Sequence, residues 1–275
     1  MLDSSTQEEH SLQMTEPSPD RSRTFLLAFT LGLTTLAFII AKTGRDALFF
    51  QGSGGLVQLP LVYINIAGAS LPPALIFVKA MKTWGARPAR VGILSIAAGV
   101  MAAAAPFLQP GDNTLLLLMF MFVPAIFGLV FASLWLLASD IFEITEKQAA
   151  ARAFSKIGAG TLAGGMIGGL ISKALAAHVD AKWLIFFGAM IIAVVIALVA
   201  YVHNRFPTNI VIKKPAVEKK KTTFLAPLKN KYSMTFVAIS MTGALAGLLI
   251  DFQFYAAAAS ANMGSKGNAS FFCQF

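Results

Sequence analysis

The sequence is short of most things a soluble enzyme uses. It has one cysteine, Cys273, in 275 residues, which excludes an internal disulfide. Charged residues make up only 13%, about half the usual share. Acidic groups are scarcest: 13 Asp+Glu stand against 22 Lys+Arg, a net charge of +9. The three histidines, His10, His178 and His203, have no partner at ligand spacing, so no metal site is expected. No nucleophile–base pair is visible, so neither an enzyme nor a bound cofactor is expected. Strand-type alternation is missing, which argues against a sheet.

What is present is apolar: 56% hydrophobic residues, with a mean hydropathy of +0.70. A basic excess on such a chain points to lipid and cytoplasmic loops, not nucleic acid. Residues 1–23 form a polar tail carrying Asp3, Glu8, Glu9, Glu16 and Asp20. It has neither the cationic start nor the short apolar core of a signal peptide. Seven stretches are long enough to cross a bilayer, at about 24–50, 56–80, 90–108, 114–138, 157–177, 182–202 and 232–259. The expected fold is an all-α polytopic membrane protein: a six-helix bundle over 24–202, a basic linker over 203–231, a seventh helix over 232–259 and a terminal segment 260–275.

With these boundaries roughly 17 of the 22 Lys+Arg fall on one side. The other side keeps Lys42, Arg45, Lys173, Lys182 and Lys266. The imbalance puts the N-terminus in the cytoplasm of a cell (inner) membrane. Six helices, a long cytoplasmic linker and a new helix are the layout of carriers built from two six-helix halves. The chain is then expected to stop part-way into its second half, with a C-terminal half missing.

Charges inside spans are the candidate functional groups. In "AKTGRDALFF" (41–50), Lys42, Arg45 and Asp46 fall within one third of a helix circumference. One reading is an outer loop, because Gly44 and Gly52 weaken a continuous helix. The other is a charged face. There Lys42 and Asp46 pair at i,i+4, and Arg45 stays unneutralised to grip an anion with two parallel bonds. On the seventh helix, "LLIDFQFYAAAA" offers Asp251 and Gln253, either as substrate contacts or as an interfacial charge.

Other stretches are read as structural. "IGAGTLAGGMIGG" (157–169) has G-x-x-x-G spacing at Gly160/Gly164, Gly164/Gly168 and Gly165/Gly169, which lets helices approach closely in lipid. A nucleotide loop is excluded by the missing strand and Gly-Lys-Ser/Thr. Residues 79–90, "KAMKTWGARPAR", read as a basic loop. Asp140, Glu143, Lys147 and Arg152 suggest a short charged helix with Glu143 and Lys147 at i,i+4. Pro60, Pro72, Pro73 and Pro124 are expected to bend their helices. Tyr63 and Asn65 read as helix–helix contacts.

Three stretches carry a family resemblance. They are "GRDALFF" with Leu59-Pro60 and Tyr63; "LWLLASDIF" leading into "IGAGTLAGG"; and "DFQF" at 251–254. Together they resemble the ATP/ADP translocase (non-mitochondrial nucleotide transporter) family and its relatives in the major facilitator superfamily. The glycine run is similar to that superfamily's fifth-helix antiporter motif, with Gly165 at the proline position. Arg45-Asp46 matches the family's basic-plus-acidic pair. The helix-4 acidic position is apolar here, at Val123-Pro124-Ala125. The resemblance implies the N-terminal six-helix half of a major-facilitator-like transporter plus helix 7. It also implies alternating access and an anionic substrate, a nucleotide or another organic anion. Two alternatives stay open: a carrier for an unrelated solute, coupled to protons through Asp46 or Asp251, and a non-transporting membrane module whose basic linker engages lipid or a partner.

Overall fold

A computed structural model of the protein describes residues 21–50, 55–109, 113–142, 147–206 and 231–260. Among these residues there is no strand. The helices are α1 (Arg21–Phe49), α2 (Gly55–Trp84), α3 (Ala86–Ala104), α4 (Asn113–Phe142), α5 (Lys147–Ala176), α6 (Ala181–Arg205) and α7 (Lys231–Ser260), with a 3-10 turn at Ala105–Phe107. All seven contain a stretch long and apolar enough to cross a membrane. The chain is an all-α polytopic membrane protein.

Several boundaries differ from the sequence reading. The stretch 79–90 is not a loop. α2 runs to Trp84 and α3 starts at Ala86, with Gly85 alone between them at φ 93°. Only glycine takes that left-handed conformation without strain, and it reverses the chain in one residue. Asp140 lies in the last turn of α4, which ends at Phe142, and Lys147 and Arg152 belong to the start of α5, so these three charges sit on the spanning helices themselves. Glu143 falls outside the described residues, as do the tail up to residue 20 and most of the linker. His203 and Arg205 belong to α6 rather than to the linker.

The first helix sits at the centre, packed on α4, α5 and α6. Its composition suits it to that place. The hydroxyls of Thr30, Thr34, Thr35 and Thr43 each donate to the carbonyl four residues back, at 2.7–3.0 Å. These four hydroxyls are thereby satisfied within the helix and bring no unpaired polar group to its interfaces. Glycine supplies the close approach. α1 and α5 run parallel, with Ala28 against Gly160, Gly32 against Gly164 and Leu36 against Gly168. A Cβ on Gly164 would fall on the backbone of Gly32. α6 runs antiparallel to α1: Gly188 meets Ala37 and Ala41, and Gly44 meets Ala181 and Leu184. Gly44 therefore does not break α1. It makes room for the start of α6.

The glycine motif divides accordingly. Gly160, Gly164 and Gly168 form the seam with α1. Gly165 reaches ordinary contact with Thr35, and Gly169 faces open space. So Gly164→Ala is expected to destabilise the protein by roughly 1–3 kcal/mol through overpacking, while Gly169→Ala is neutral. Thermal unfolding in detergent compares the two; equal melting temperatures would contradict the seam.

Candidate functional site

Because α1 continues through Gly44, it carries Lys42, Arg45, Asp46 and Phe49 as one rigid array. Arg45 and Asp46 are buried, at 4% and 3% exposure. The Arg45 fork folds over its neighbour: Nε donates to Asp46 Oδ1 at 2.7 Å, and Nη2 donates to the same oxygen. The other carboxylate oxygen, Oδ2, accepts the Tyr255 hydroxyl of α7 at 2.6 Å. Lys42, one turn earlier, donates to Asp251 of α7 at 3.0 Å. Lys42 pairs with Asp251 and Asp46 bonds Tyr255, both with a separation of 209 residues. One register therefore holds two i,i+4 pairs side by side on parallel helices.

The third arm of Arg45 uses a defect in α4. Nη1 donates to the carbonyl of Phe120 at 3.2 Å. That carbonyl would ordinarily accept the amide hydrogen four residues on, but residue 124 is proline, which has none. Pro124 thus leaves a buried acceptor, and Arg45 fills it. The guanidinium carbon also lies 4.1 Å from the Phe120 ring centroid, a cation–π contact that fits an arginine. An aromatic collar closes the node: Phe49 on Phe120 at 4.2 Å and Phe50 on Tyr255 at 4.5 Å between centroids.

Two expectations are corrected here. Lys42 does not pair with Asp46, and Arg45 is not the unneutralised cation. The carboxylate of Asp46 is engaged on both oxygens by Arg45 and Tyr255, while Lys42 faces α7, where Asp251 waits. The outer-loop reading falls too, since the backbone is helical to Phe49. Of the five residues expected to form the site, the fold joins Lys42, Arg45, Asp46 and Asp251. Gln253 is exposed and joins no hydrogen bond among the described residues.

Comparison with known proteins finds no matching family model, no similar curated protein and no similar solved structure. Function must therefore be argued from this geometry.

The node contains two cations and two anions, sorted into unequal pairs. Arg45–Asp46 is sealed. Lys42–Asp251 is open, with side chains 26% and 38% exposed. A half-exposed pair in an otherwise closed node can change partners, whereas breaking the sealed one would strand a buried charge. Three contributors were missed from sequence. Tyr255 lies one turn beyond Asp251, a spacing that could have marked it. Phe120 was marked only by the proline after it. Tyr63, read as a helix contact, packs in the aromatic cluster, yet its hydroxyl is buried without a hydrogen-bond partner.

A second polar cluster also escaped notice. Arg90, fully buried at the start of α3, donates through Nη2 to Asp140 at the end of α4. Its Nη1 lies 3.2 Å from His203 Nε2 on α6. His203 Nδ1 lies 2.8 Å from the Val199 carbonyl. Both contacts are satisfied when Nδ1 carries the proton and Nε2 accepts from Arg90, the neutral form of the ring. This cluster ties three helix ends together at the basic end of the bundle.

If Lys42–Asp251 is a direct pair, Lys42→Ala and Asp251→Ala should be non-additive. Their double mutant should recover about 0.5–3 kcal/mol of coupling in thermal unfolding. Additive losses would show the two side chains to be independent.

Proposed function

We propose that the protein is a secondary transporter that exchanges organic anions, nucleotides of the ATP/ADP kind foremost, with its basic end in the cytoplasm. The observation that carries this reading is the open Lys42–Asp251 pair joining α1 to α7. A phosphate or carboxylate oxygen arriving at Lys42 competes with Asp251 for the same ammonium. When it wins, Lys42 stays paired and α7 loses its ion-pair anchor. Anion capture and helix release become one event, which is what alternating access requires. Arg45 serves as a fixed support: it holds Asp46 and α4 in place, so that Tyr255 and Lys42 keep their positions. The substrate cation is therefore Lys42; Tyr63, in the same aromatic cluster as Tyr255 and with an unpartnered hydroxyl, is the second donor in this reading.

The same pair supports a second reading. Asp251 is its more exposed member, and a proton on its carboxylate would loosen Lys42 as an anion would. A carrier for an unrelated solute, coupled to protons at Asp251, follows from that.

Uptake into proteoliposomes separates the two. Labelled ATP or ADP should enter only when unlabelled nucleotide is present inside, and Lys42→Ala should reduce the rate at least about tenfold, the loss of one charge-assisted contact. Uptake of an uncharged solute driven by a pH gradient, lost in Asp251→Asn, would select the second reading. No uptake above empty liposomes for any of these would overturn both.

Tyr63→Phe provides an independent check. Removing an unpartnered buried hydroxyl should leave the melting temperature unchanged or slightly raised, while the apparent affinity for the transported anion falls. An unaltered affinity would remove Tyr63 from the site.

A further inference from the structure

The α1–α5 seam that glycine creates is flanked by two adjoining cavities. The first, about 620 Å³, lies at the start of α1 and is lined by Arg21, Ser22, Thr24, Phe25, Ala28 and Lys156. The second, about 250 Å³, also includes Phe25 and Ala28 and continues along the seam as far as Leu36 and Ile167. The two differ in chemistry. The outer cavity has two cations from different helices, Arg21 and Lys156, both exposed and neither in an ion pair among the described residues. The inner one is an apolar furrow, open because Gly32, Gly160 and Gly164 put no side chains into it.

Thr24 marks the outer cavity as more than a basic surface. It is 5% exposed, lines the cavity, and its hydroxyl has no hydrogen-bond partner. The threonines deeper in α1 satisfy theirs on the carbonyl four residues back. Thr24 stands too near the helix start for a partner of that kind within α1. A buried hydroxyl without a partner is costly, and a ligand oxygen beside Arg21 and Lys156 would relieve it.

We propose that this pair of cavities is a binding site for an anionic phospholipid of the leaflet at the basic end. The headgroup phosphate sits between Arg21 and Lys156 and accepts from Thr24. One acyl chain lies in the furrow. Length agrees: from Phe25 to Leu36 the helix rises about 16 Å, close to half of the roughly 30 Å hydrocarbon core. A free phosphate would use the outer cavity alone and leave the furrow without a purpose. Basic pockets between helices at the interface are where anionic lipid headgroups settle. The proposal rests on the membrane fold and does not depend on what is transported. Its lipid would rest on the glycine seam that holds α5 to the central helix.

Native mass spectrometry of the purified, delipidated protein tests it by titration with phosphatidylglycerol and phosphatidylcholine. Phosphatidylglycerol should bind preferentially. Arg21→Ala and Lys156→Ala should each weaken it about fivefold, the effect of one cation near an anionic headgroup. Ala163→Phe, which fills the furrow from an exposed position, should weaken both lipids and leave the melting temperature unchanged. Equal binding of the two lipids would overturn the proposal, as would phosphatidylglycerol binding that survives the Arg21→Ala/Lys156→Ala double variant. Full binding in Ala163→Phe, or stoichiometric displacement by inorganic phosphate, would point instead to a simple anion site and also overturn it.

Discussion

Everything distinctive about this chain follows from the need to pair charge where water is scarce. A helix that places Lys42, Arg45 and Asp46 within five residues cannot leave them to the bilayer. Arg45 takes Asp46, and the carboxylate's second oxygen takes Tyr255. Lys42 is left over on the same helix, and its anion comes from another helix, as Asp251. That leftover ties α7 to α1 alongside the Tyr255–Asp46 hydrogen bond, and it is the more exposed of the two links. Among the described residues the helix packing of α7 is slight, against α2; apart from the buried Tyr255, most of its large apolar side chains are exposed.

The two ends of the bundle use one physical device for different purposes. At each end a buried arginine draws helices together through partners that are hard to replace. Arg90 holds α3, α4 and α6 through Asp140 and His203. Arg45 holds α1 to α4 through the Phe120 carbonyl that Pro124 leaves open. The difference is the second cation. Among the described residues, only the node at the α1–α7 end adds a partly exposed pair, one that can exchange a partner without stranding a buried charge. The glycine seam between α1 and α5 gives the complementary constraint, a close backbone contact that does not invite movement.

Much of the fold was legible because lipid simplifies the problem. Span length, apolar runs and the uneven distribution of Lys and Arg were enough to place all seven helices to within a few residues at most ends. The misses came where one residue replaces a segment. Gly85 does the work of a whole loop. The helical stretch 147–156 opens α5, although its polarity suggested a separate element. In the node, the charged residues were recognisable as unusual, but their pairing was not. Pairing depends on which helix lies opposite, and Asp251 is 209 residues from Lys42. The i,i+4 rule offered Asp46 to Lys42, and the nearer guanidinium took it. Pro124 was read as a bend, yet its part in the node comes from the hydrogen bond it omits. Arg90, Asp140 and His203 could have been suspected, since span counting puts all three at one membrane face, but each alone resembled an ordinary interfacial charge.

The central claim is that the Lys42–Asp251 pair holds α7 and that an anion releases it. Spin labels at Leu118 on α4 and Leu249 on α7, both exposed, with Cys273→Ser as background, would report the distance between bundle and α7 in liposomes. The account predicts one narrow distribution for the unliganded protein. It predicts a shifted or broadened distribution when ATP is added, and a similar change in Asp251→Asn without ATP. The same narrow distribution in all three samples would contradict it.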